Sequence, residues 1–125
     1  MTDINKTISD IILKNILTPV IYIAEYDHAY EFFCFCDRGI MLNEITKAET
    51  ELSALLNKNV IIFDIRELHE ADRVDIVKDG EIIYYEDEII KQLFEISMLE
   101  DFRMFLDARN ATVERMKNIG TPYLS

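Results

Sequence analysis

The sequence predicts an α/β (α+β) layer structure: a small mixed sheet of about four strands, helices packed on it and a long C-terminal helix. Three observations lead there. Segments with apolar residues at helical spacing alternate with short runs of β-branched and aromatic residues in the order α-β-β-α-β-(α)-β-α, and that alternation builds a sheet covered by helices. Only 3 Gly and 2 Pro interrupt 125 residues, so regular elements fill most of the chain. From Glu88 to about Asn118 neither residue occurs, which lets one helix run for about 30 residues, or about 45 Å at 1.5 Å per residue.

Residues 3 to 17 place Ile4, Ile8, Ile11, Ile12 and Leu17 at helical spacing, with Asp3 or Thr2 available to cap the start. Pro19 stops this helix, and VIYIAEY (20–26) reads as a strand dense in β-formers. Polar residues around Asp27 and His28 turn the chain into a second strand, YEFFCFCD (30–37), so the two form a hairpin. Between 41 and 58, Leu42, Ile45, Ala48, Leu52, Leu55 and Leu56 form a stripe opposed by Glu44, Lys47, Glu49 and Glu51, the pattern of an amphipathic helix. NVIIFDI (59–65) comes next as a strand whose apolar run predicts burial on both faces. Residues 66–80 hold a short helix entering a turn at Asp79-Gly80, and EIIYYED (81–87) is the fourth strand. Glu86, Asp87 and Glu88 then open the long helix, where negative charge meets the positive end of the helix dipole.

The length suits a single domain spanning 1–125 with one ordinary core. Against 13 Lys and Arg stand 24 Asp and Glu, a net charge of −11, with an isoelectric point near 4.5. Such a field repels phosphate backbones and anionic membrane surfaces, so neither nucleic acid nor membrane is an expected partner. A basic protein would instead be drawn toward it. No stretch approaches the roughly 18 apolar residues of a membrane helix. The apolar N-terminal segment contains Lys14 and Asn15 with no cleavage pattern after it, so a cytoplasmic protein is expected. Cys34 and Cys36, two apart along a strand, lack the geometry to bridge each other and read as free thiols.

The middle and end of the chain carry a motif order: LNEITKAETELSALLNKNVIIFDIREL, ADRVDIVKDGEIIYYED and FEISMLEDFRMFLDARNATVERM. Over roughly residues 42 to 116 this order resembles the minimal nucleotidyltransferase (MNT) family, antitoxin-like members of the DNA polymerase β-type nucleotidyltransferase fold. The resemblance implies a G-S loop after the first strand, opening a short helix whose amides hold nucleotide phosphates. It further implies D-x-D on the next strand and a third Asp on a neighbouring one. Two carboxylates at i and i+2 share a strand face, so with the third they can hold Mg²⁺ against a triphosphate.

This sequence departs from the motif at each point. After VIYIA come Glu25, Tyr26, Asp27 and His28, with no Gly or Ser and no room for the helix. The strand expected to carry D-x-D offers Glu31 followed by Phe33. The third Asp of the motif falls at Ile61, while Asp64 lies three residues on and points to the opposite face. Glu31 and Asp64 are therefore at most remnants of a catalytic set.

The remaining site candidates have plain structural readings. Cys34 and Cys36 with His28 and His69 contain the ligand types of a zinc site, yet an isolated C-x-C is more simply buried thiol, and Phe32, Phe33 and Phe35 more simply core. On the long helix, Phe94, Met98, Leu99, Phe102, Phe105, Leu106, Val113 and Met116 make a broad apolar band. Its C-terminal half, with Phe102, Leu106, Val113 and Met116, is the expected surface for a protein partner or second copy.

The resemblance and the departures together imply a protein that binds rather than catalyses, without cofactor: the antitoxin-like partner of a HEPN-type toxin, or a homodimer. The alternative is an active Mg²⁺- and ATP-dependent nucleotidyltransferase whose metal site has moved to Asp27, Glu31, Asp37 or Asp64.

Overall fold

Apolar alternation in the strands sorts their side chains onto two faces, and helices cover both. The computed structural model describes residues 3–36 and 38–119. In chain order its elements are α1 (Asp3–Asn15), β1 (Val20–Glu25), β2 (Ala29–Cys34), α2 (Leu42–Leu56), β3 (Asn59–Asp64), a 3-10 turn (Ile65–Glu67), α3 (Glu70–Asp79), β4 (Glu81–Tyr85) and α4 (Glu88–Ile119). The four strands form one mixed sheet in the order β3-β2-β1-β4. β1 runs antiparallel to both β2 and β4, while β2 and β3 are parallel. A parallel pair needs a crossover, and α2 supplies it.

On one face, Ile8, Ile12 and Ile16 from the α1 region and Ala48 and Leu52 from α2 close over Ile21, Phe32, Cys34, Val60, Ile62 and Ile83. The other face gathers Val20, Tyr22, Phe33 and Phe35 against Ile76 and Val77 of α3 and Phe94 and Met98 of α4. Each large apolar side chain withdrawn from water in this way contributes about 1.5–3 kcal/mol. The register of β4 on β1 slips between Ile21 and Tyr22. That slip lets Ile82 pack in the Tyr22 layer while Tyr84, two residues on, packs in the opposite one.

Several expectations are corrected. Leu17 is 71 % exposed, because α1 ends at Asn15 and Ile16 takes the core position. Leu42 and Leu55 of the α2 stripe, and Ile4 of α1, are likewise exposed, the packing being carried by Ala48 and Leu52 with Ile45 and Leu56 beside them. β2 stops at Cys34 rather than Asp37, since the Phe35 amide leaves the ladder and donates to Thr18 Oγ1 at 2.9 Å. Thr18 in turn donates to the Val20 carbonyl at 2.6 Å. One buried hydroxyl thus ties the end of β2 to the start of β1.

β3 is an edge strand and is not buried on both faces: Val60, Ile62 and Asp64 are buried while Asn59 and Ile61 are exposed. An open edge invites pairing with another chain. Here Glu49 of α2 accepts the Ile62 amide at 2.9 Å and occupies a donor on that edge. The turn into β4 demands glycine, because a Cβ on Gly80 would run into the carbonyl oxygen of Ile76, to which the Gly80 amide already donates. Among the described residues no helix is long and apolar enough to cross a membrane.

Two buried groups give the fold a pH signature. Cys34 is fully buried, and burial, then the nearby Asp64 charge, pushes its thiol far up. Burial first, then the charge and hydrogen bond of Glu95, pushes the Tyr22 phenol up as well. Both folded-state values lie above the unfolded ones, about 8.5 for Cys and about 10 for Tyr. The folded chain therefore holds these protons more tightly, and the associated stability is complete below about pH 8.5 and lost as pH rises toward the folded values. Urea midpoints are expected to stay level up to about pH 8 and fall above it, with Cys34→Ala delaying the fall toward about pH 10. A level midpoint through that range would contradict the assignment.

Candidate functional site

The end of the sheet where β1 hands over to β2 is where the resemblance places nucleotide chemistry. Three residues, Tyr26, Asp27 and His28, make the whole connection between Glu25 and Ala29, and the Tyr26 amide closes it on the Ala29 carbonyl at 2.8 Å. There is no helix between the two strands and hence no helix N-terminus to cradle a phosphate. The sequence expectation of a tight hairpin here holds.

Alternation and register fix what projects beside this hairpin. Glu31 pairs across β2–β3 with Ile61, and Phe33 with Phe63. On the other side Glu31 lies opposite Ala24 and Phe33 opposite Tyr22. One carboxylate therefore shares its strand face with phenyl, alkyl and methyl groups. Phe33 and Phe63 stack with ring centroids 5.3 Å apart, an arrangement worth about 0.5–1.5 kcal/mol beyond the area it buries. The Glu31 charge, followed by its hydrogen bond, pushes the exposed Tyr26 phenol up, so Glu31 has a neighbour in the hairpin itself. These residues do not fit a divalent metal, which requires several hard oxygen donors converging on one point.

Beside Phe33 a cavity of about 230 Å³ opens between the sheet and α3, lined by Tyr22, Ala24, Tyr26, Asp75 and Asp79 among others. Its two carboxylates come from one face of α3, and Glu31 is not on its wall. A larger space, about 560 Å³, lies at the other end of the sheet between Leu17, Pro19, Phe35, Cys36 and Tyr84. Among the described residues no group of three or more His, Cys, Asp or Glu could hold a metal ion.

Asp64 is not brought to Glu31. It pairs in register with Cys34, on the α1/α2 side, and is buried. Its Oδ1 accepts the Arg66 amide at 3.0 Å, and its Oδ2 accepts the Ile40 amide at 3.2 Å. Asp64 thus caps the 3-10 turn and anchors the loop that leads into α2. His69 also caps, its Nδ1 accepting the Ala71 amide at the start of α3 at 3.2 Å, while His28 is exposed in the hairpin turn. Sequence reading missed both caps. In each case the signal was present, a side-chain acceptor two residues before the amide it takes.

Cys34 and Cys36 are free and buried, and Cys36 lies beyond the end of β2. Asp37 lies outside the described residues. At the start of α4, Asp87 Oδ1 accepts the Ile90 amide at 3.0 Å, as its acidic lead-in predicts. Phe94 meets Tyr22 at 6.2 Å and Phe35 edge-on at 5.1 Å. Leu99 is exposed, not part of that packing. Phe102, Leu106, Val113 and Met116 fall on the backbone of α4, but their side chains lie outside the described residues.

The sheet order, the parallel β2–β3 pair crossed over by α2 and the helices on both faces define a nucleotidyltransferase-type fold. Solved structures that share it include toxin–antitoxin complexes. The chain is similar to the crystal structure of the toxin–antitoxin pair MntA-HepT with a TM-score of 0.74 at 14% identity, over 93% of this chain and 99% of that one. A complex of tri-AMPylated Shewanella oneidensis HEPN toxin with MNT antitoxin matches with a TM-score of 0.73 at 15% identity, over 94% and 99%. A toxin–antitoxin structure with AMP-PNP matches with a TM-score of 0.72 at 13% identity, over 90% and 98%. No protein-family model matches the sequence, and no curated protein matches it at a significant level. At such identities the likeness establishes the fold.

Proposed function

We propose that this protein acts by binding, as the antitoxin-like partner of a HEPN-type toxin, and that its nucleotidyltransferase site is degenerate. One observation carries the proposal: the face that would need three carboxylates presents Glu31, Phe33 and Ile61 beside a three-residue hairpin. The fold supports the partner class, since the solved structures that share it pair an MNT antitoxin with a HEPN toxin. The acidic field of net charge −11 adds attraction for a basic partner surface. No cofactor is needed for such a role.

A second reading, nucleotidyl transfer with Mg²⁺ and ATP, is favoured by the tri-AMPylated toxin and the AMP-PNP in structures of the same fold. It needs a relocated metal site built from Asp27, Glu31, Asp37 or Asp64, of which Asp64 already accepts the Ile40 and Arg66 amides. Isothermal calorimetry with MgATP separates the two. Binding as proposed gives no heat of saturable association, and Glu31→Ala changes nothing; micromolar affinity abolished by Glu31→Ala supports the second reading.

A further inference from the structure

α4 is apolar on two sides. One side, with Phe94 and Met98, packs into the core. On another, Ile89, Leu93 and Ile96 stand 68%, 61% and 57% exposed at spacing i, i+4, i+7, which aligns them in one stripe along the helix. No residue of the described fold covers this stripe, and single exposed apolar residues are ordinary whereas an aligned set marks a docking surface. It does not include Phe102, Leu106, Val113 and Met116, which fall at a different helical spacing in the sequence.

The charges farther along the same face identify the occupant of the stripe. Glu100 lies seven residues after Leu93 and four after Ile96, and Asp107 and Glu114 repeat at intervals of seven, all three exposed. The same face therefore changes from apolar to acidic, with Arg103 as the one basic residue that its spacing also places there. Over residues 88 to 101 the helix carries Glu88, Glu95, Glu100 and Asp101 against Lys91, which lies 3.7 Å from Glu88. Two copies joined through this face would set acidic edges together in a chain of net charge −11, and like charges across an interface oppose association. A helix with apolar residues flanked by Lys or Arg meets both the stripe and the acidic run.

We propose that this face of α4 docks a basic amphipathic helix of a partner protein, with Leu93 and Ile96 as the apolar anchors and Glu100, Asp107 and Glu114 as the charge guide. The inference deepens the binding role proposed above and rests on it for the identity of the partner.

The test is fluorescence anisotropy with a labelled four-turn Leu/Lys amphipathic peptide, a Leu/Glu peptide of the same pattern as control, and sedimentation of the free protein. Because Leu93 and Ile96 are exposed, Leu93→Ser/Ile96→Ser should leave the thermal midpoint unchanged. Saturable binding of the Leu/Lys peptide is expected, weakened at least about tenfold by that double variant and by Glu100→Lys/Asp107→Lys. The Leu/Glu peptide should not bind. Equal binding of the Leu/Lys peptide to wild type and Leu93→Ser/Ile96→Ser, no saturable binding at all, or a wild-type dimer dissociated by Leu93→Ser/Ile96→Ser would each overturn the proposal. With a HEPN-type toxin, equal affinity for wild type and Leu93→Ser/Ile96→Ser would overturn the docking face while leaving the binding role intact. Failure of wild type to bind that toxin would instead remove the binding role.

Discussion

Phe32→Ala is expected to lower stability by about 3–5 kcal/mol, the range for removing a buried phenyl ring and leaving a cavity. Phe32 is 0% exposed at the centre of the layer closed by α1 and α2, and it stacks on Tyr30 at 6.0 Å. Neighbours from two helices and three strands hold that space open, so it cannot easily collapse. Natural domains have only about 5–15 kcal/mol in total. The variant should therefore shift the urea midpoint strongly with little change in slope. Phe33→Ala is the control: its ring stacks on Phe63 but is only partly buried, so a smaller loss is expected. Equal losses at the two positions would contradict the assignment of Phe32 to the closed layer.

Asp64→Ala is expected to cost about 2–3 kcal/mol. Hydrogen bonds to an ionised acceptor contribute about 1.5–3 kcal/mol, and loss of a cap costs about 0.5–2 kcal/mol. The two amides it satisfies, Ile40 and Arg66, belong to segments 26 residues apart in the chain. Removing the carboxylate frees both the entry to α2 and the exit from β3. Asp64→Asn keeps an accepting oxygen and should lose about half as much. Both are read from denaturation midpoints. An Asp64→Ala variant as stable as wild type would show that the capping bonds contribute nothing.

Much of the fold was legible in the sequence because its signals were local. The hairpin from β1 to β2 comes from two β-rich runs divided by polar residues, and α4 from a long run without Gly or Pro. The mixed sheet could likewise be read from the order of elements, and the departures from the motif from Glu31, Phe33 and Ile61, while the pairing that sets Glu31 beside Ile61 came from the fold. β3 was misread because a run of β-branched residues does not distinguish a central strand from an edge strand. That difference depends on what pairs beside it, and the protecting contact comes from Glu49 on another element. Leu17 and Leu42 were misread for a related reason: helical periodicity gives a stripe, while the tertiary packing selects which part of it is covered.

The candidate site divides the same way. Strand period in the sequence already turns Asp64 to the opposite face, and the fold adds what it meets there, the Ile40 and Arg66 amides. The stripe of Ile89, Leu93 and Ile96 was hidden by a helix that is apolar on two sides. Periodicity registered the side that packs on Phe35 and Tyr22, and exposure revealed the other.

The most direct test is to mix the protein with a HEPN-type toxin, add MgATP, and weigh the intact complex and its separated chains by mass spectrometry. A stable complex whose toxin chain keeps its unmodified mass is the expected result. Adenylyl groups on the toxin that disappear without Mg²⁺, or no complex at all, would contradict a protein that works by binding.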